Sequence, residues 1–252
     1  MRVFITGASS GLGEGLALHY AKPGAVIGLC ARRAPLLGEL AQAIRARGAR
    51  ALVYASDVSD TAEMQQVTAD FAAENGGVDC VIANAGIGIA HATLQGKSEP
   101  IAQLMRVNVI GVTNTLVPFV PVMVQQGSGT LVAVSSVAGF RGLPGRAAYS
   151  ASKAAVITFM DALRLDLRGT GVHAMTLCPG FVHTPLTASL PGKLPFVIGV
   201  DEAVSLMSRA IERRRKTFVF PWQVRVLSRV LRVAPEPVVR KLSPAPRNKG
   251  SA

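Results

Sequence analysis

The chain alternates between short blocks of consecutive apolar residues and longer stretches in which apolar positions recur every three or four. The blocks are Arg2–Thr6, Ala25–Ala31, Ala49–Ala55, Val78–Asn84, Thr130–Ser135, Val172–Cys178 and Thr217–Phe220. Several are unbroken runs of Val, Ile, Leu and Ala without polar alternation, the pattern of strands covered on both faces. The intervening stretches, roughly 11–22, 35–47, 60–75, 98–126, 149–169 and 201–215, carry helical periodicity. This alternation predicts an α/β fold: a doubly wound parallel sheet of the Rossmann type, about seven strands with helices on both faces. Such sheets hold ligands beyond the carboxyl ends of their strands, at the topological switch point.

A length of 252 residues suits one sizeable α/β domain, and a 49% hydrophobic composition excludes general disorder. No uninterrupted apolar run reaches the roughly 18 residues of a membrane-spanning helix. The first residues enter a strand and a glycine loop at once, leaving no room for a signal peptide, so a cytoplasmic location is expected. Cys30, Cys80 and Cys178 are odd in number, far apart and set in apolar surroundings, which predicts buried free thiols. His19, His91, His173 and His183 lack metal-ligand spacing, and no metal is assigned. The net charge of +12 is concentrated at one end: residues 209–249 hold twelve Lys/Arg against Glu212 and Glu236, leaving a surplus of two for the rest. Prolines and arginines multiply after residue 220. Residues 1–220 therefore read as one catalytic-sized domain, and 221–252 as a basic C-terminal extension.

Candidate chemistry begins after the first strand, at Thr6-Gly7-Ala8-Ser9-Ser10-Gly11-Leu12-Gly13. A strand that turns sharply, a backbone bare enough to approach a diphosphate, and a helix opening with free N–H groups form an anion cradle. A glycine turn that merely packs a helix on a strand has the same composition. Later segments separate the two readings. Asp57-Val58 follows the third strand, Asn84-Ala85-Gly86 the fourth, and Asn108 lies within the next long helix. Ser135-Ser136 ends the fifth strand, Tyr149-Ser150-Ala151-Ser152-Lys153 forms a YxxxK, and Pro179-Gly180-Phe181-Val182-His183-Thr184 follows the sixth strand.

In this order the segments resemble the TGxxxGxG, NAG, YxxxK and PG-x-V-x-T motifs of the short-chain dehydrogenases/reductases, across residues 4–220. The resemblance implies a nicotinamide coenzyme held by Gly7, Ser9, Ser10, Gly11, Leu12, Gly13, Asp57, Val58, Asn84, Ala85, Gly86, Pro179, Gly180, Val182 and Thr184, with Tyr149 and Lys153. It implies hydride transfer between that coenzyme and a carbonyl or alcohol, and assembly as a homodimer or homotetramer. The family chooses its coenzyme at the end of the second strand, where an acid binds the ribose 2′-hydroxyl of NAD. Here Ala31 occupies that place and Arg32 follows, able to pair with the 2′-phosphate of NADP. NADP(H) is favoured over NAD(H), although Arg32 and Arg33 also suit the start of a solvated helix.

Tyr149 and Lys153 lie one helical turn apart on one face. Reducing a carbonyl requires a proton at oxygen, and a free tyrosine with a pKa of about 10 gives one up reluctantly near neutrality. A neighbouring ammonium is expected to pull that value down. Ser136 is expected to hydrogen-bond the substrate oxygen. By resemblance, Lys153 also bonds the nicotinamide ribose, and Asn108 holds a water in a relay to Lys153. The catalytic set is thus Asn108, Ser136, Tyr149 and Lys153. The stretch 187–200, with Leu190, Pro191, Leu194, Pro195, Phe196 and Ile198, falls where the family has its substrate loop. Its apolar character suits either an apolar small-molecule substrate or simple core packing. Three other readings stand beside this one: an NAD-dependent alcohol dehydrogenase, a non-catalytic nucleotide-binding regulator, and nucleic-acid binding through the basic end. The last has no recognised motif, and no nucleic-acid partner is expected. In 222–242, Val224, Leu227, Val230 and Leu231 recur at helical spacing beside Arg225, Arg229 and Arg232, and Val238, Val239 and Leu242 continue the pattern. That segment suits packing on protein or weak peripheral contact with the inner face of a membrane.

Overall fold

The computed structural model describes residues 1–88, 93, 95–188 and 194–237, apart from the side chain of Leu231. Leu190, Pro191, Val238, Val239 and Leu242 lie outside the described residues. Every expected strand forms, with ends within two residues of those read from the pattern: β1 (Arg2–Thr6), β2 (Val26–Cys30), β3 (Arg50–Tyr54), β4 (Cys80–Ala83), β5 (Gly129–Val134), β6 (Val172–Pro179) and β7 (Thr217–Phe220). All pair in parallel as one sheet in the order β3-β2-β1-β4-β5-β6-β7. The chain reverses its winding between β1 and β4, so those two strand ends open side by side.

Unbroken apolar strands require cover on both faces, and two packed layers supply it. On one face α1 (Gly11–Tyr20), α2 (Ala34–Arg45) and Val200–Glu212 bury Leu16, Ile44 and Met207 against Val3, Ile5 and Ile27. On the other, α3 (Thr61–Asn75), the stretch Ser98–Gln126 and Ala147–Asp166 bury Phe71, Phe119 and Met160 against Phe4, Val81 and Leu131. The three cysteines are free and buried, Cys30 within the second layer and Cys80 within the first.

The stretch read as one helix over 98–126 is helical throughout but not uniform. It comprises α4 (Ser98–Met105), a π turn over Arg106–Ile110, α5 (Gly111–Leu116), a 3-10 turn over Val117–Phe119 and α6 (Val120–Gln126). Pro118 and Pro121 lack the N–H groups that uniform α-helical bonding would use. At 29 residues and a mean hydropathy of 1.7 over its most apolar window, this stretch reaches the length and composition of a membrane-crossing helix, contrary to the reading from uninterrupted runs. Half of that window is buried in the fold, where α5 leans on β4.

Among the described residues the remaining helices are α7 (Ala147–Asp166), α8 (Pro185–Ala188), α9 (Val200–Glu212) and α10 (Trp222–Val233). Helix α10 packs on β7 and on the 3-10 turn Val137–Gly139. Its inner face differs from the stripe read in the sequence. Val224 and Ser228 are buried, whereas Val230 is 52% exposed. Ser228 can turn inward because its hydroxyl donates to the Arg225 carbonyl at 3.0 Å, which leaves no buried donor unpaired.

Candidate active site

The site begins where β1 and β4 end. Asn84 ties the two ends together: its Nδ2 donates to the Thr6 carbonyl at 3.1 Å, and its backbone N–H donates to Thr6 Oγ1 at 3.2 Å. Gly7 turns the chain with φ +65, and a Cβ there would sit 2.8 Å from Ala85 Cα. A Cβ on Gly13 would lie 2.2 Å from the Gly7 carbonyl oxygen, so α1 meets β1 at a distance only glycine permits. Ser10, at the N-cap of α1, makes no side-chain capping bond, leaving the first-turn N–H groups directed at the loop.

A cleft of about 330 Å³ opens above these strand ends. It is walled by Gly7, Ser9, Ser10, Gly11 and Leu12 on one side, and by Asn84, Ala85 and Gly86 on another. Arg32, Asp57, Val58 and Thr184 are the other expected residues that line it, and Tyr149 and Lys153 are not among the lining residues. Gly13, Pro179, Gly180 and Val182 do not line it: Val182 is buried beside Ile198, and Gly180 packs against Val224. Sequence reading missed Ser56, Ile87, Val107 and Leu186, which also face the cleft. Ser56 was within reach as the residue before Asp57-Val58. Leu186 carries no motif and is placed by the short helix α8.

Arg33 is the larger omission. Its guanidinium donates to Ser9 Oγ at 2.8 Å and to Ser10 Oγ at 2.7 Å, clamping the glycine loop from the cleft side. Arg32 lies 3.7 Å from Asp57, with its side chain 64% exposed. Burial raises the Asp57 carboxyl, but bonds from Ser59 N at 2.9 Å and Ser59 Oγ at 2.7 Å, with Arg32 nearby, hold it below the usual carboxylate range. Asp57 is therefore an anion that orients Arg32, and both guanidinium groups stand at the cleft rim.

The second group of residues gathers beside Gly86. A Cβ on Gly86 would lie 3.4 Å from Asn108 Oδ1 and 3.5 Å from Lys153 Nζ. Ser136, buried at the N-cap of the 3-10 turn, accepts from the Ala138 N–H at 3.2 Å and lies close enough to Tyr149 to act on its phenol, while Ser135 turns away and donates to the Lys153 carbonyl at 2.8 Å. Burial pushes the Tyr149 phenol above its ordinary value, and Ser136 and Arg146 pull in the opposite direction. This corrects the expectation that Lys153 lowers the tyrosine. The ammonium lies 5.8 Å from the ring centroid and donates to the Val134 carbonyl at 3.0 Å. It is itself buried, which brings its pKa down to about 8.

Asn108, fully buried in the π turn, accepts from Ile87 N–H at 2.8 Å and donates to the Ile87 carbonyl at 3.0 Å and to Ser152 Oγ at 3.1 Å. Ser152 in turn donates to the Tyr149 carbonyl at 2.8 Å, a link the sequence did not reveal. Through these bonds one amide fixes both the loop after β4 and the helix bearing Tyr149. Elsewhere, His183 is exposed. Among the described residues no three His, Cys, Asp or Glu side chains cluster as metal ligands.

A glycine cradle that a single Cβ would obstruct, hydroxyls at a helix N-terminus and two rim guanidinium groups form the donor set that a dinucleotide needs. A proton-bearing triad stands beside it. Residues 1–194 match the family model for short chain dehydrogenase. The chain belongs to the short-chain dehydrogenase/reductase family. As a member it is an NAD(P)-dependent oxidoreductase. An uncharacterized oxidoreductase from Myxococcus xanthus is 43% identical over 235 residues, covering 93% of this chain and 92% of the relative. Among solved structures, a short-chain dehydrogenase from Sphingobium yanoikuyae in complex with NADPH superposes with a TM-score of 0.83 at 28% identity, covering 100% of this chain and 98% of that one. A short chain dehydrogenase/reductase from Burkholderia phymatum in complex with NAD gives 0.84 at 26% identity, with the same coverage.

Proposed function

We propose that this short-chain dehydrogenase/reductase is an NADP(H)-dependent enzyme that interconverts an apolar carbonyl compound and its alcohol, with Tyr149 as acid and base. The observation that carries the reading is the meeting, at Gly86, of the arginine-rimmed cleft with Lys153 and Asn108, the lysine standing 5.8 Å from the Tyr149 ring. Gly7, Ser9, Ser10, Gly11 and Leu12 would hold the diphosphate, Asp57 and Val58 the adenine, and Arg32 with Arg33 the 2′-phosphate. Asn84, Ala85, Gly86, Lys153 and Thr184 would border the nicotinamide end, with Gly13, Pro179, Gly180 and Val182 supporting from behind. When bound, the coenzyme supplies or accepts hydride at the substrate carbon.

Every other step falls to the chain. Tyr149, kept protonated at neutral pH by burial, delivers its phenolic proton to the substrate oxygen during reduction. Ser136 bonds the same oxygen as negative charge develops there. Lys153, with a pKa near 8, exchanges its proton readily and replenishes Tyr149 through intervening solvent, the path to which Asn108 contributes. Ile87, Val107 and Leu186 give the cleft apolar wall, which supports an apolar substrate. A cytoplasmic homo-oligomer completes the reading.

Tyr149→Phe tests it. The ring is kept and the donor lost, so carbonyl reduction with NADPH falls by about 10²–10⁴-fold while NADPH affinity changes less than twofold. A loss of turnover below tenfold refutes Tyr149 as the proton donor.

A further inference from the structure

Helix α10 carries a surface that the oxidoreductase chemistry leaves unused. Trp222, Val226, Val230 and Val233 follow one another at four, four and three residues, the spacing of a single helical ridge. All four are exposed, at 71%, 53%, 52% and 82%. The ridge lies opposite the inward pair Val224 and Ser228. Phe196, 48% exposed, shares a cavity wall with Trp222 and extends the apolar surface toward α9.

Beside this ridge runs a second one, Arg225, Arg229 and Arg232. Together with Arg215 these arginines line a cavity of about 300 Å³ between α10, β7 and Phe140, to which Ser228 also contributes. All four are exposed, and among the described residues no ion pair involves any of them. Glu202, on the neighbouring cavity that Arg225 also borders, is the one acid on either wall. Four cations around one cavity, alongside exposed tryptophan and valines, fit an occupant that is anionic and apolar at once.

We propose that α10 docks on an anionic lipid bilayer, seating lipid phosphates on Arg215, Arg225, Arg229 and Arg232 while Trp222, Val226, Val230 and Val233 enter the interface. Charge decides against a second copy of the chain. A two-fold contact sets each patch against itself, so the arginine ridges would meet one another. An anionic leaflet instead concentrates phosphates against the cations and offers an apolar layer to the ridge. At 12 residues the helix is about 18 Å long, enough to lie in the interface and too short to cross it.

The chain has a single tryptophan, and it stands on the ridge, so its emission reports this contact alone. The full chain is mixed with vesicles of phosphatidylcholine alone or of phosphatidylcholine with phosphatidylglycerol, and both cosedimentation and Trp222 emission are followed. Binding to the anionic vesicles with a blue shift, and at least tenfold weaker binding to the neutral ones, is expected. Replacing Arg225, Arg229 and Arg232 together by Gln weakens binding about a hundredfold, the effect of three surface cations at an anionic leaflet. Val226→Ser with Val230→Ser removes the blue shift. Circular dichroism and melting temperature, unchanged for these exposed positions, separate docking from misfolding. The proposal is overturned if anionic vesicles are ignored, if neutral ones bind equally, or if binding leaves the emission unmoved. It is also overturned if the triple Gln variant binds as the parent does, or if inorganic phosphate or protein concentration alone shifts the emission.

Discussion

Two cationic side chains were read from the sequence by their neighbours in the chain, and both are governed by neighbours in space. Arg33 stands beside Arg32 at the head of α2, where periodicity cannot say which of the two turns toward the strand ends. Its bonds to Ser9 and Ser10 tie it to the loop, while Arg32 leans on Asp57. Arg33→Ala should therefore raise KM for NADPH about tenfold or more and leave that for NADH within twofold, since a charge-assisted bond to a phosphate contributes roughly 1.5–3 kcal/mol. Arg32→Ala should do the same more weakly, and equal effects on both coenzymes would remove the arginines from 2′-phosphate recognition. Lys153 offers a test by pH. Its ammonium titrates near 8 in the fold and near 10.5 in the unfolded chain, so unfolding takes up a proton between those values. Stability then rises with pH across that window, and below it the buried charge costs on the order of 3 kcal/mol. Lys153→Met should melt higher than the parent at pH 7, with the difference shrinking as pH climbs from 8 toward 10.5. A constant difference would mean that the amine is not titrating in that range.

At the scale of elements the sequence was legible wherever burial is two-sided. Short unbroken apolar runs suit strands between two helical layers, and all seven strands were located to within two residues, the partly exposed edge strands β3 and β7 included. The helices followed less closely, because their ends depend on capping and on partners. The π turn around Asn108 and the inward turn of Ser228 were illegible, since each depends on a hydrogen bond to a backbone group that periodicity does not encode. The glycine loop shows a tertiary constraint that was legible as a motif but not as a cause. A Cβ on Gly13 would meet the Gly7 carbonyl and the Asn84 amide, so the approach of α1 to β1 requires this glycine. Gly13→Ala should destabilise the protein by about 1–3 kcal/mol, despite the 0.5–1 kcal/mol that alanine offers within a helix. Chemical denaturation with the coenzyme omitted measures this directly. Unchanged stability, with coenzyme binding lost, would assign Gly13 to the ligand instead.

The whole molecule presents a second apolar stripe, distant from α10 in the chain. Ile110, Val117 and Val124 are seven residues apart along the Ser98–Gln126 stretch, and all are more than two-fifths exposed. Leu165 on α7, 60% exposed, adds to the unpaired apolar surface. A heptad stripe with few charges suits a two-fold helical contact, so the parent should sediment as a dimer or larger. Val117→Glu should shift it to the monomer with its secondary structure intact. A parent that already sediments as a monomer would exclude that contact. One close approach links α10 to the cleft. A Cβ on Gly180 would stand 2.9 Å from Val224, so α10 rests directly on the segment that carries Thr184 to the cleft. Whatever holds α10 from outside thus leans on the segment that leads into a wall of that cleft. Such linkage is reciprocal: if filling the cleft strengthens the hold of α10 on its outer contact by some factor, that contact must tighten the coenzyme by the same factor.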